Sequence, residues 1–146
     1  MNKTINDAID DPVYLAEVVR EIYGLQHEYP LNIFSLAIKL GVYIKYVSFE
    51  SDQPGRYYFP FGEDDLHLIT LSAFDDITRQ RFTLAHEIAH YLRYVVKGID
   101  RKAIEDGTTT EEVEEEFAEK FSSHLLVSNT ELERLCPRYE IDGHVP

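Results

Sequence analysis

The sequence feature that most constrains the fold is the segment RFTLAHEIAHYL, residues 81–92, which contains the pattern H-E-x-x-H at His86, Glu87 and His90. Positions four residues apart lie on one face of an α-helix, so a helix here would aim both imidazoles at a single point. Two neutral imidazoles are good zinc ligands. Glu87 could take a proton from a water molecule at the metal, as the general base of a zinc peptidase does. The motif therefore predicts a helix that carries half of a zinc site.

The alternative interpretation of this segment is a helix with two partly buried histidines that only pair with their neighbours. Buried positions rarely hold two histidines and a glutamate unless these side chains are paired or bind a ligand. We favour zinc binding because the residues around the motif are apolar and predict a largely buried helix: Leu84, Ala85, Ile88, Ala89 and Leu92.

A catalytic zinc site needs a third protein ligand, which this motif does not supply. The extended pattern H-E-x-x-H-x-x-G-x-x-H fails, because Arg93 and Val96 occupy the two further positions. A glutamate from a later helix is the other option, and the segment EEVEEEFAE at 111–119 contains six of them. Most of these six are typical of a solvated helix face.

Helical spacing in the segment at 111–119 favours some of these glutamates but does not select one. Glu114 and Glu115 lie at the borders of the predicted buried stripe, whereas the acids at 111 and 112 lie near the helix start, where the helix dipole favours negative charge. The stripe itself consists of apolar residues at every fourth position, Val113, Phe117, Phe121 and Leu125.

The remaining segments predict an α+β fold in a single zincin-like metallopeptidase domain over residues 1–146. It would combine N-terminal helices, a small three-stranded antiparallel sheet, and the HExxH helix packed with a Glu-donating helix. The sheet is predicted as a meander because its strands follow one another with short turns. The predicted elements are helices at 12–29 and 31–40, strands at 42–49, 56–61 and 66–72, a helix at 75–97, a loop at 98–110, a helix at 111–127, and a short last helix that begins at Ser128 or Thr130.

Charge and cysteine content indicate which partners and which cellular compartment to expect for the protein. The formal net charge is −13, from 27 acidic and 14 basic residues. Such a chain is repelled by phosphate backbones, so we expect no direct nucleic-acid binding. Cys136 is the single cysteine and cannot form an internal disulfide, which favours a reducing compartment. The sequence contains no apolar signal region and no run long enough to span a bilayer, so we expect a cytoplasmic protein with no membrane partner.

Two segments carry a family resemblance. RFTLAHEIAHYL, followed by EEFAEKFSSHLLVS, resembles the ImmA/IrrE family of zinc metallopeptidases over about residues 30–130. That family has an RFTLAHELGHYLLH-like helix and then a second helix of the form E-x-x-A-(N/D/S)-x-F-A-x-x-L-L-(M/I/V)-P. The chain departs from it at Ala89, where the family has Gly, and at Val127-Ser128, where it has Met-Pro. Glu119 stands where an Asn or Asp usually supports a histidine ligand.

The resemblance implies which glutamate completes the site. Phe121 and Ala118 match the aromatic and alanine positions of the family, which makes Glu115 the third ligand. Glu116 is the next candidate and Glu112 a more distant one. The implied cofactor is Zn²⁺, with His86, His90 and Glu115 as ligands and Glu87 as the catalytic base.

The resemblance also implies a function and a partner. Similar proteins come from bacteria and phages, and several cleave a helix-turn-helix transcription regulator that is often encoded beside them, which derepresses a mobile element or a stress response. We therefore expect a zinc-dependent endopeptidase whose protein substrate is such a regulator. The alternative is a non-hydrolytic module that binds a regulator partner, as one half of a toxin–antitoxin pair would.

Overall fold

The computed structural model of the chain describes residues 4–48, 55–58 and 67–127. The described part has the predicted α+β class, with helices packed around a small sheet. The elements are α1 (Ile5–Ala8), α2 (Pro12–Ile22), α3 (Ile33–Leu40), β1 (Val42–Val47), β2 (Gly55–Tyr58), β3 (His67–Ser72), α4 (Ile77–Lys97), α5 (Arg101–Glu105) and α6 (Glu111–Leu126).

Side-chain caps and glycines set the helix ends. The Asp76 carboxylate accepts a hydrogen bond from the Arg79 amide at 2.8 Å and starts α4. Gly98 ends that helix in the left-handed conformation, with φ +71°, which costs a residue without a Cβ little. The predicted extension of α2 to residue 29 is wrong, because Gly24 adopts φ +68° just after Ile22 and ends the helix earlier.

The predicted antiparallel meander is wrong. The described strands form a mixed sheet in the order β1-β3-β2, in which β2 pairs antiparallel with β3 and β1 pairs parallel with β3. The physical reason lies in burial. Ile69 and Leu71 of β3 are fully buried, whereas Tyr43 and Tyr46 of β1 are largely exposed, so β3 takes the central position and β1 an edge.

Two further predictions need correction, and others lie outside the described residues. The loop predicted at 98–110 contains the short helix α5, which Asp100 caps by accepting from the Ala103 amide at 2.9 Å. Val113, assigned to the buried stripe of α6, is 53% exposed, and its neighbour Glu114 is buried instead. The predicted strand ends at 49 and 59–61, the last helix from 128 or 130, and Cys136 lie outside the described residues.

Helix α4 lies at the centre of the core, as the apolar residues around its motif predict. Leu84, Ala85 and Ile88 are fully buried and belong to one hydrophobic cluster with Phe121 and Leu125 of α6. Packing of α4 against α6 brings together the two helices that carry the predicted site. Within the described residues, no helix is long and apolar enough to cross a membrane.

A buried arginine joins α2 to the C-terminal end of α6. Arg20 is almost fully buried in α2, and its Nε donates to the Leu125 carbonyl of α6 at 2.8 Å. Its Nη1 donates to the carbonyls of Leu25 at 2.7 Å and Glu28 at 3.1 Å, and its Nη2 donates to Leu126 at 3.3 Å. One guanidinium therefore donates hydrogen bonds both to backbone carbonyls in the last turn of α6 and to backbone carbonyls in the segment after α2.

We expect Arg20→Met to lower the free energy of unfolding by about 3 kcal/mol or more, because the apolar side chain leaves several buried carbonyls without a donor. Arg101→Met, on an exposed position of α5, is the matched control. Urea unfolding followed by circular dichroism measures both. A loss for Arg20→Met no larger than that of the control would refute this role.

Candidate metal centre

Helix α4 brings its two histidines together as their spacing predicts. His86 and His90 are one helical turn apart, their ring centroids are 5.1 Å from each other, and both side chains are mostly buried. The opposite face of α4 packs into the core, which fixes the direction in which the imidazoles point.

Glu115 of α6 meets both imidazoles. Its Oε2 lies 2.9 Å from Nε2 of His86, and its Oε1 lies 3.0 Å from Nε2 of His90. One ligand atom from each of the three residues lies within 4.8 Å of the others, so the group could hold a metal ion. The other candidate glutamates point elsewhere: Glu116 pairs with Lys120 at 3.2 Å in an exposed contact, and Glu112 is exposed.

The donor set and its spacing fit a tetrahedral metal ion. Bonds of 2.0–2.1 Å place neighbouring ligand atoms about 3.3 Å apart in a tetrahedron. The contacts that Glu115 makes with the histidines are a few tenths of an ångström shorter, and its half-exposed side chain has room to move outward. A carboxylate only accepts hydrogen bonds, so each contact uses an Nε2 proton of the imidazole. A bound cation would replace those protons at the same atoms.

A buried ion pair next to Glu115 sets how α6 lies on α4. Arg93 donates from Nε and Nη2 to the two carboxylate oxygens of Glu114, at 2.8 and 2.7 Å. Glu114 is only 4% exposed and also accepts from the Thr109 hydroxyl at 2.8 Å. Successive residues of a helix are rotated by about 100°, so fixing Glu114 against Arg93 turns Glu115 toward the histidines. No sequence pattern predicted this pair, since Arg93 stood out only as a residue that cannot be the third ligand.

The carboxylate of Glu87 is held by the backbone of β2. The Tyr57 amide donates to Oε2 of Glu87 at 3.0 Å. Burial raises the pKa of Glu87 to about 7, while the neighbouring His90 and the Tyr57 amide act in the opposite direction. A bound cation would add positive charge beside this carboxylate and favour its ionised form. Glu87 thus lies in a fixed orientation next to the potential ligands.

The pKa values of the three clustered residues follow from burial and from their contacts. Burial and the neighbouring His90 lower the pKa of His86, which favours the neutral imidazole that binds metals. Burial also lowers that of His90, but its hydrogen bond with Glu115 and the charge of Glu87 outweigh this, so the pKa of His90 is raised. The His90 hydrogen bond, together with His86, holds the pKa of Glu115 at about 2, so this carboxylate is ionised.

Tyr57 belongs to an aromatic group that supports β2. Its hydroxyl and Nδ1 of His67 are 2.9 Å apart, and its ring packs against Tyr91 and Tyr94 of α4 with centroids 5.8 and 6.3 Å away. The Tyr91 hydroxyl donates to the Leu40 carbonyl at 2.7 Å. Tyr91 also belongs to the hydrophobic core, and Tyr94 packs against it. No sequence signal pointed to Tyr57.

A cavity of about 930 Å³ opens onto the cluster. Its walls come from β2, α4, α6 and the segment that contains α5. Glu119 lines it and its negative charge acts on His86, but among the described residues it makes no hydrogen bond with either histidine. The lining includes Arg56, Tyr57, Arg79, Phe82, His86, Glu87, His90, Arg101, Ile104, Glu105, Glu111, Glu115 and Glu119.

Two histidines one turn apart on a helix, a carboxylate from a second helix, and a glutamate beside them are the arrangement of a metallopeptidase centre. The chain belongs to the Peptidase_M78 family, described as the IrrE N-terminal-like domain, whose sequence model matches residues 37–145. This match covers most of the chain and includes both α4 and α6. It confirms the resemblance stated from the two motif segments. A search of curated proteins returned no significant match.

We expect Glu114→Gln to lower the free energy of unfolding by about 3 kcal/mol, because it removes the buried one of the two carboxylate partners of Arg93, and the other, Asp10, is largely exposed. We also expect affinity for added Zn²⁺ to fall roughly 10- to 100-fold, as α6 loses the contact that orients Glu115. Thermal unfolding and calorimetric titration measure the two effects. The control is Glu112→Gln, at an exposed position of the same helix. Unchanged zinc affinity in a destabilised Glu114→Gln variant would contradict the orienting role.

Proposed function

We propose that the protein is a zinc-dependent endopeptidase in which His86, His90 and Glu115 bind the metal and Glu87 is the general base. The observation that carries this proposal is the contact of one Glu115 carboxylate with both Nε2 atoms of the H-E-x-x-H histidines, at 2.9 and 3.0 Å. Two imidazoles and one carboxylate form a donor set that catalytic zinc sites use, with one position left for water or substrate. Membership of a peptidase family agrees with this assignment.

The chain's own residues would divide the chemistry as follows. Bound zinc would supply Lewis acidity, which polarises a peptide carbonyl and makes a water molecule easier to deprotonate. Glu87 takes a proton from that water molecule as the water oxygen bonds to the carbonyl carbon. Glu87 then gives the proton to the amine nitrogen as the C–N bond breaks. The Tyr57 amide, 3.0 Å from Oε2, keeps this carboxylate in one orientation through both transfers.

We further propose that the substrate is a helix-turn-helix transcription regulator encoded beside this chain. Two features support this choice. The resemblance to ImmA/IrrE proteins implies such a partner, and the net charge of −13 is complementary to a basic DNA-binding protein. The acidic residues of the cavity wall, Glu105, Glu111 and Glu119, extend that complementarity to the site.

The assignment of the third ligand is tested by exchanging one oxygen for nitrogen at adjacent positions. We expect Glu115→Gln to weaken zinc binding by about 100-fold or more, since loss of an outer-shell partner alone costs 10- to 100-fold. Glu116→Gln is the matched control, and its zinc affinity should equal that of the wild type, because Glu116 faces Lys120. Competition with a fluorescent chelator measures both. The reverse result would make Glu116 the ligand.

The catalytic assignment and the substrate are tested together. We expect the zinc-loaded protein to cleave the purified neighbouring regulator, and Glu87→Gln to slow cleavage by roughly 100- to 10,000-fold, the usual contribution of a general base. Its zinc affinity should stay unchanged, since Glu87 is not among the three clustered residues. Electrophoresis and mass spectrometry follow the products. Wild-type cleavage rates in Glu87→Gln would remove Glu87 from the mechanism, and an intact regulator would remove it as substrate.

A further inference from the structure

An aromatic side chain lies on the same face of α4 as the two histidines. Phe82, His86 and His90 are at positions i, i+4 and i+8 of the helix, and all three line the cavity. Four residues of helix correspond to about 6 Å along the axis, so Phe82 lies one turn from the first histidine. This distance is comparable to that between a peptide carbonyl and the side chain of an adjoining residue.

Phe82 is one of three exposed large apolar side chains of α4, with Ile77 and Val95, and of these three it is the one that lines the cavity. Leu84 and Ile88 are fully buried, whereas Phe82 is 42% exposed. Isolated exposed apolar residues are common, so exposure alone assigns no role. Here the exposed ring forms part of a cavity wall beside the cluster, which is where an apolar surface can be buried by a ligand.

The rest of the lining makes this apolar surface distinctive. The cavity is also bordered by charged side chains, among them Arg79, Glu115 and Glu119. Among the described lining residues, the other exposed large apolar side chain is Ile104, which comes from α5, a separate helix that follows α4 in the chain. A substrate side chain on the Phe82 side of the cluster would therefore meet an aromatic wall next to charged groups.

We propose that Phe82 forms a specificity subsite that selects a large apolar side chain at one of the two residues flanking the cleaved bond. This inference rests on the proposed function, because it needs a substrate carbonyl bound at the His86, His90 and Glu115 cluster. Burial of each additional methylene of that side chain against the ring contributes to binding, and a small or acidic side chain gains little there.

Hydroxamates test the subsite without requiring catalysis, because the hydroxamate group chelates zinc and fixes the register of its neighbouring side chain. Two probes with a Leu-type and an Ala-type side chain are titrated into the zinc-loaded protein by calorimetry. We expect the Leu-type probe to bind at least about tenfold more tightly to the wild type. In Phe82→Ala this ratio should fall below about threefold, with affinity for the Ala-type probe kept.

Control variants separate a subsite from a general effect on folding. Phe74→Ala removes a ring that is 68% exposed and does not line the cavity, so it should keep the wild-type ratio. Phe82→Leu retains an apolar surface and should keep most of the preference. Thermal unfolding and zinc affinity are measured for each variant, so a loss of the ratio in a folded, zinc-loaded Phe82→Ala protein reports on the ring itself.

The outcomes distinguish this inference from the proposed function. The subsite would be overturned if the protein binds zinc but binds both hydroxamates with equal affinity. An affinity ratio that stays unchanged in Phe82→Ala would overturn it as well. Either result would leave the peptidase assignment intact. A Phe82-dependent ratio in a protein that cleaves no peptide would show that Phe82 selects an apolar side chain beside the metal, but would overturn catalysis and with it a role in choosing the cleaved bond. A protein that binds no zinc would overturn both.

Discussion

The buried pair of Arg93 and Glu114 is the contact on which the geometry of the candidate metal centre depends. It joins α4 to α6 with two hydrogen bonds, at 2.8 and 2.7 Å, between side chains that are only 6% and 4% exposed. Two hydrogen bonds from a planar guanidinium fix both the position of the partner helix along its axis and its rotation about that axis. Charges buried in this way need their partners, so a shift of α6 along α4 carries a large cost. Glu115, the next residue, therefore meets the histidines in one defined register.

The same geometry brings the ligand atoms of His86, His90 and Glu115 together. Glu115 accepts hydrogen bonds at the two Nε2 atoms that a metal would use, so protons and metal compete for the same positions. The core of α4 and α6 and the Arg93 pair hold the helices in place in either case. A site organised beforehand spends little of the binding energy on ordering its ligands.

The sequence predicted the parts of this arrangement that one helix determines alone. The spacing of His86 and His90 defines a common face whatever surrounds it. Contacts between distant segments were not predictable in this way. Val113 was assigned to the core because it is apolar, yet it is 53% exposed, while Glu114 is buried because Arg93 neutralises it. Periodicity ranks residues by hydrophobicity and carries no information about a charged partner on another helix. Glu115 itself was selected by the family resemblance, since spacing left several glutamates open.

The difference between the predicted and the observed strand order has a direct consequence for the site. A meander would place β2 between two strands, where the backbone groups on both of its sides pair within the ladder. In the observed order β1-β3-β2, β2 is an edge of the described sheet, and its Tyr57 amide is available to the Glu87 carboxylate at 3.0 Å. Strand order thus determines whether the sheet can hold the predicted base. The motif supplies Glu87, but its orientation comes from a strand whose neighbours local sequence patterns did not identify.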